Sequence, residues 1–161
     1  MTEFPSPAKL EELISFVESS ESVVRFQFDS PVHSVQEAID VSGFEKSEFI
    51  KSICMKHKKE DIFIVAIIPG SSKVDKKMLV DGINPKKWVM ATPDQILTYT
   101  GFPVGGVPPV CLPENILKFV DPRVILKEFV VGGGGTRESL LRLPSKLIAE
   151  DGAEKRVISF G

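Results

Sequence analysis

Phe49-Ile50-Lys51-Ser52-Ile53-Cys54-Met55 and Ile62-Phe63-Ile64-Val65-Ala66-Ile67-Ile68, joined by the charged run Lys56 to Asp61, decide the fold of this chain. The second stretch is apolar without interruption, the pattern of a strand buried on both faces. The first alternates, and its period of two places Lys51 on the same face as Phe49, Ile53 and Met55. The run between them predicts a charged hairpin turn, in which His57 is expected to be solvated.

Before this pair, Pro7 followed by Leu10, Leu13, Ile14 and Val17 predicts an amphipathic helix over about 7–19. Val23 to Phe28 predicts a half-buried strand carrying Val24, Phe26 and Phe28 on one face. Ser34 and Glu37 have capping-box spacing for a short helix through Val35, Ala38 and Ile39, with Gly43 just past it.

Beyond the pair, Asp75 is an expected N-cap for a helix carrying Met78 and Leu79 and stopped by Gly82. Trp88 to Ala91 reads as a strand. Thr92-Pro93-Asp94-Gln95 combines an N-cap, a first-turn proline and a capping-box glutamine, opening a helix that ends at Gly101. Further strands are expected at Ile116 to Val120, Phe129 to Val131, Ser139 to Leu143 and Val157 to Phe160, with helices after Asp121-Pro122 and near Ser145 to Glu150. Strands and helices mix without a regular βαβ rhythm. The expected class is α/β of the α+β type: a curved mixed sheet surrounded by helices, rather than a doubly wound nucleotide fold.

The chain has 161 residues and 42% apolar content, which suits a single domain over 1–161. No apolar run approaches the roughly 20 residues of a membrane span, and Met1 to Leu10 lacks a signal-peptide layout, so a soluble cytoplasmic protein is expected. Cys54 and Cys111 are too few for a disulfide framework and are expected as free thiols. Charge is uneven: residues 1–48 hold ten acidic and three basic side chains, and residues 51–87 hold four acidic and nine basic ones. That lysine-rich middle is either a solvated face or an anion-facing one. Without arginines or interleaved aromatics it gives no sign of sequence-specific base reading.

The chain has no Walker loop, dinucleotide fingerprint or nucleophile elbow, and His33 and His57 lack metal-ligand spacing. His33, just before a helix cap, reads as a packing or capping residue rather than a base. Lys51 is the strongest single candidate for binding or chemistry, since an ammonium on an apolar strand face needs an anion or acceptors to compensate its desolvation. The alternative is a lysine that snorkels out along an edge strand. Two glycine-dense stretches, Gly101 to Pro109 and Gly132 to Gly135, could present main-chain N–H groups to a ligand. The second, taken alone, would be an ordinary hairpin turn.

Six segments in order resemble the YbaK and prolyl-tRNA synthetase associated domain family of aminoacyl-tRNA deacylases. They are Ser34-Val35-Gln36-Glu37-Ala38; Phe49-Ile50-Lys51-Ser52-Ile53; Ile67-Ile68-Pro69-Gly70 with Val74-Asp75-Lys76-Lys77-Met78-Leu79; Thr92-Pro93-Asp94 to Thr100-Gly101; Gly105-Gly106-Val107-Pro108-Pro109; and Gly132 to Gly135. The likeness covers about residues 23–150. It implies a YbaK-like fold and hydrolysis of the ester joining a wrongly attached amino acid, such as alanine, cysteine or proline, to the 3′ end of tRNA. It implies no metal or other cofactor.

By the same resemblance, Lys51, Gly105 and Gly106 would be catalytic, with Lys51 holding the terminal adenosine or its phosphate. His33, Val107, Pro108, Gly132, Gly133, Gly134, Gly135 and Arg137 would contact substrate. Two departures stand out. Val107-Pro108-Pro109-Val110-Cys111 replaces the family's serine before proline and the glycine shortly after it. Thr136-Arg137 follows the second glycine run, where relatives often place arginine-glycine.

The expected partner is aminoacylated tRNA, with an aminoacyl-tRNA synthetase as a second candidate, and the chain reads as a freestanding editing protein. The alternatives are a catalytically idle module docking on tRNA or a synthetase, and a small-molecule hydrolase or nucleotide-binding protein.

Overall fold

A computed structural model describes residues 3–32, 34–72, 85–150 and 154–157. His33 and the helix expected at Asp75, with its stop at Gly82, lie outside the described residues. In chain order the elements are α1 (Pro7–Glu18), β1 (Val24–Gln27), α2 (Val35–Ser42), β2 (Ile50–His57), β3 (Phe63–Pro69), β4 (Trp88–Met90), α3 (Pro93–Thr100), β5 (Leu117–Val120), α4 (Pro122–Ile125), β6 (Phe129–Gly133), β7 (Ser139–Pro144), α5 (Lys146–Glu150) and β8 (Glu154–Val157).

Two sheets carry the fold, one ordered β4-β2-β3-β5-β8 and the other β1-β7-β6. In the larger, β2 runs antiparallel to β3 and β4, while β5 runs parallel to β3 and to β8. Mixed pairing of this kind fits the α/β class expected from the irregular element order. A parallel bridge between Phe49 and Val131 joins the sheets where β2 begins and β6 passes.

Strand β3 behaves as its composition requires. Phe63 to Ile68 are all buried, and they divide by parity between two apolar clusters. Phe63, Val65 and Ile67 pack with Ile50, Cys54, Phe102 and Leu141; Ile64, Ala66 and Ile68 pack with Met55, Trp88 and Phe119. Lys51 pairs with Ile68, Ile53 with Ala66 and Met55 with Ile64, so this lysine does share a sheet face with apolar neighbours.

The local signals hold where they are strongest. Ser34 caps α2 by accepting from the Glu37 N–H at 3.1 Å, and Gly43 closes it with φ 73°. Thr92 and Gln95 make both halves of a capping box on α3, which ends at Gly101 with φ 82°. Asp121 caps α4 through the Arg123 N–H.

Four details depart from the sequence reading. His57 is only 8% exposed instead of solvated. The turn folds over its ring, the N–H groups of Lys59 and Glu60 donate to Nδ1 at 3.1 and 2.9 Å, and Trp88 packs edge-on at 5.1 Å. Those donors hold the tautomer whose proton is on Nε2. Strand β6 continues past Val131 into Gly132 and Gly133, which pair with Leu141 and Leu140; a Cβ on Gly133 would run into the Val107 backbone, and one on Gly132 would press on the Ile50 side chain. Val24, expected on the covered face of β1, is 47% exposed on the edge of the three-stranded sheet. Strand β8 starts three residues before the expected Val157, and residues 158–161 lie outside the described set.

Cys54 and Cys111 are both buried and form no disulfide. No helix among the described residues is long and apolar enough to cross a membrane.

Candidate functional site

Where the two sheets meet, a hollow of about 640 Å³ opens between the start of β2, α2 and the glycine loops. That volume lies within the usual range for small-ligand sites. Lys51 and Ser52 enter from β2, Gly70 and Ser71 from the end of β3, Gly132 and Gly133 from β6, and Gly105 and Val107 from the first glycine loop. Helix α2 contributes Val35, Ala38 and Ile39, which with Val32, Val131 and Leu140 make one side apolar.

The charge of this wall is one-sided. Lys46 and Lys51 line it, with Ser34, Gln36, Ser52 and Ser71 as polar neighbours, and the described wall contains no aspartate, glutamate, histidine or cysteine. No group of three or more potential metal ligands exists among the described residues. Among the described residues the wall holds cations and no carboxylate, which suits an anionic ligand and supplies no side-chain general base.

The glycine loops are laced to one another, and this explains their composition. Gly106 donates to Pro103 O at 2.9 Å, making a turn whose third position, Gly105, has φ 85°. Gly135 donates to Gly106 O at 2.8 Å. A Cβ on Gly133 would lie far inside contact distance of the Val107 carbonyl oxygen, and one on Gly106 would be 2.9 Å from the Thr136 backbone. The two main chains therefore pack directly against each other.

This lacing sorts the site residues expected from sequence. Lys51, Gly105, Val107, Gly132 and Gly133 share the hollow. Gly106, Pro108, Gly134 and Gly135 are buried behind its wall, and Arg137 faces elsewhere, 3.9 Å from Glu3. The Gly106 N–H is consumed in the turn, whereas no backbone carbonyl among the described residues accepts from the N–H of Gly105 or Val107.

Two supporting residues carry no sequence signal that marks them. The Arg25 guanidinium donates to Gly134 O at 2.7 Å and to Thr136 Oγ1 at 3.5 Å, fixing the second glycine loop; burial lowers its pKa. Lys118, fully buried on β5, donates to Pro109 O at 2.7 Å and so holds the first loop from beneath. In sequence Arg25 is one basic residue in an alternating strand and Lys118 is one lysine among four apolar residues, and neither pattern says which carbonyl the side chain will meet.

Fold and hollow together define a mixed α/β domain with a hollow walled by apolar side chains, glycine main chain and lysine. Residues 29–150 match the aminoacyl-tRNA editing domain family, well over half of the chain, and the protein belongs to that family. It is 30% identical to the proline–tRNA ligase of Fervidobacterium nodosum over 103 residues, 63% of this chain but 17% of that enzyme. It is 27% identical to the uncharacterized protein YwhH of Bacillus subtilis, covering 77% of this chain and 78% of YwhH. Among solved structures, a candidate trans-editing enzyme for prolyl tRNA synthetase superposes with a TM-score of 0.75, at 23% identity over 98% of both chains.

Proposed function

We propose that this protein is an aminoacyl-tRNA deacylase that acts in trans, hydrolysing the ester between a small, wrongly attached amino acid and the 3′-terminal ribose. The reading is carried by one observation: Lys51 and the main chain of both glycine loops face one hollow whose described wall lacks a carboxylate. The family and the match to YwhH over most of both chains support it.

In this reading the Lys51 ammonium holds the phosphate of the terminal adenosine. The amino-acid side chain lies toward Val32, Val35, Ala38 and Val131, a surface that suits alanine, cysteine or proline. Water adds to the ester carbonyl carbon, and the N–H groups of Gly105 and Val107 take the developing oxyanion. The bond from carbon to the ribose oxygen then breaks, the proton given up by water passes to that oxygen, and free amino acid and tRNA leave. With no side-chain base in the described wall, a substrate hydroxyl is the natural proton relay. Positioning and preorganised donors can lower such a barrier by several kcal/mol.

The test is a deacylation panel of mischarged tRNAs with wild type and Lys51→Ala side by side. Hydrolysis of at least one alanyl-, cysteinyl- or prolyl-tRNA, strongly weakened in the variant, is expected. Salt-sensitive tRNA binding without hydrolysis of any member would replace the proposal with an idle docking module.

A further inference from the structure

A second hollow of about 260 Å³ adjoins the first, and Phe49, Ile50 and Ser71 belong to the walls of both. Its own lining adds Ser47 and Ser72 and two cations from the far side of the larger sheet's end, Arg123 and Lys127. No carboxylate lines it among the described residues. The Arg123 charge is largely matched by the buried Asp121, 2.7 Å from Nη2, so Lys127, exposed and on the loop after α4, supplies the unmatched charge of this wall.

From this we infer that the second hollow binds the sugar-phosphate of the nucleotide preceding the terminal adenosine of a tRNA acceptor end. The inference rests on the editing reading of the first hollow and adds a second nucleotide position to it. Consecutive nucleotides are joined by one phosphodiester, and two adjoining hollows that share Phe49, Ile50 and Ser71 in their walls suit that constraint. The chemistry fits as well: hydroxyls of Ser47, Ser71 and Ser72 can donate to phosphate or ribose oxygens, and the Lys127 ammonium, with the Arg123–Asp121 pair beside it, attracts a single negative charge. Phe49, the one aromatic among the described residues of this wall, is only 3% exposed and offers no open stacking face, so recognition is of the backbone and not of the base.

Calorimetric titration of the intact protein with adenosine 5′-monophosphate and with the trinucleotide CpCpA tests this. Wild type is expected to bind CpCpA about tenfold or more tightly than the mononucleotide. Lys127→Glu, a change at an exposed side chain, is expected to remove most of that increment. Lys59→Glu, the same charge change at an exposed side chain in the β2–β3 turn, at the opposite end of β2 from Ile50, is expected to keep it. If the mononucleotide binds and CpCpA gains nothing over it, or if both lysine variants lose the increment equally, the second hollow is not a nucleotide site while the first remains one. If neither probe binds wild type, both assignments fall.

Discussion

The Nζ of Lys118, with no solvent exposure, sits 2.7 Å from the carbonyl oxygen of Pro109 and ties β5 to the loop that carries Gly105 and Val107. A buried ammonium is retained only against a large desolvation cost, so its removal leaves acceptors uncompensated in an apolar core. Lys118→Met is expected to lower unfolding free energy by about 1–3 kcal/mol in urea denaturation. An unchanged midpoint would mean that the carbonyl does not depend on this donor.

The backbone of Cys111 has φ 61°, a left-handed conformation that side chains adopt at a cost, in a buried position just after Pro108-Pro109-Val110. Cys111→Gly relieves about 1–2 kcal/mol of backbone strain and gives up a comparable amount in chain entropy and buried surface. Stability within about 1 kcal/mol of wild type is therefore expected. Cys111→Val keeps the bulk but puts a β-branched residue at positive φ, and a larger loss is expected by thermal or urea denaturation. Valine tolerated better than glycine would overturn this ordering.

Burial pushes the Cys54 thiol up to about 12, against an ordinary 9.0 in the unfolded chain. The folded state keeps its proton where the unfolded state gives it up, so the contribution is complete below pH 9 and is lost as pH rises from 9 toward 12. Between pH 8 and pH 10, wild type should lose on the order of 1 kcal/mol more stability than Cys54→Ala. Equal losses in paired urea titrations would show that this thiol does not titrate differently on folding. Native protein should also leave Cys54 unmodified by a thiol reagent at pH 8.

Glycines 105 and 133 predict opposite tolerances. Gly105 is exposed with φ 85° and open space where a side chain would go, so Gly105→Asn, a residue that accepts left-handed geometry, should retain the fold and the melting temperature. Gly133→Ala drives a methyl into the Val107 backbone and must separate the two loops. It should abolish deacylation and lower the melting temperature, while the reverse outcome would mean that the lacing does not shape the hollow.

Much of this was legible in sequence because the deciding signals are local. Uninterrupted apolar residues at 62–68 can only be a covered strand or a buried helix, and the flanking alternation favours the strand. Caps at Ser34, Thr92 and Asp121 fix helix starts to the residue. The roles of Arg25 and Lys118 were not legible, since both depend on which carbonyl lies above a strand after folding. His57 misled for a related reason: its neighbours Lys58 and Lys59 are exposed, but its own ring is turned inward to receive two amides. The glycine loops were recognised as special, yet which amides remain for a ligand depends on the Gly106 to Pro103 and Gly135 to Gly106 hydrogen bonds, which no composition reveals.

The most direct measurement is the single-turnover hydrolysis rate of a mischarged tRNA from the panel, compared between wild type and Lys51→Ala at matched fold stability. An ammonium that holds a phosphate through a charge-assisted hydrogen bond is worth about 1.5–3 kcal/mol, so a fall of roughly 10- to 100-fold is expected. A variant that hydrolyses the ester at the wild-type rate would contradict the account of the hollow.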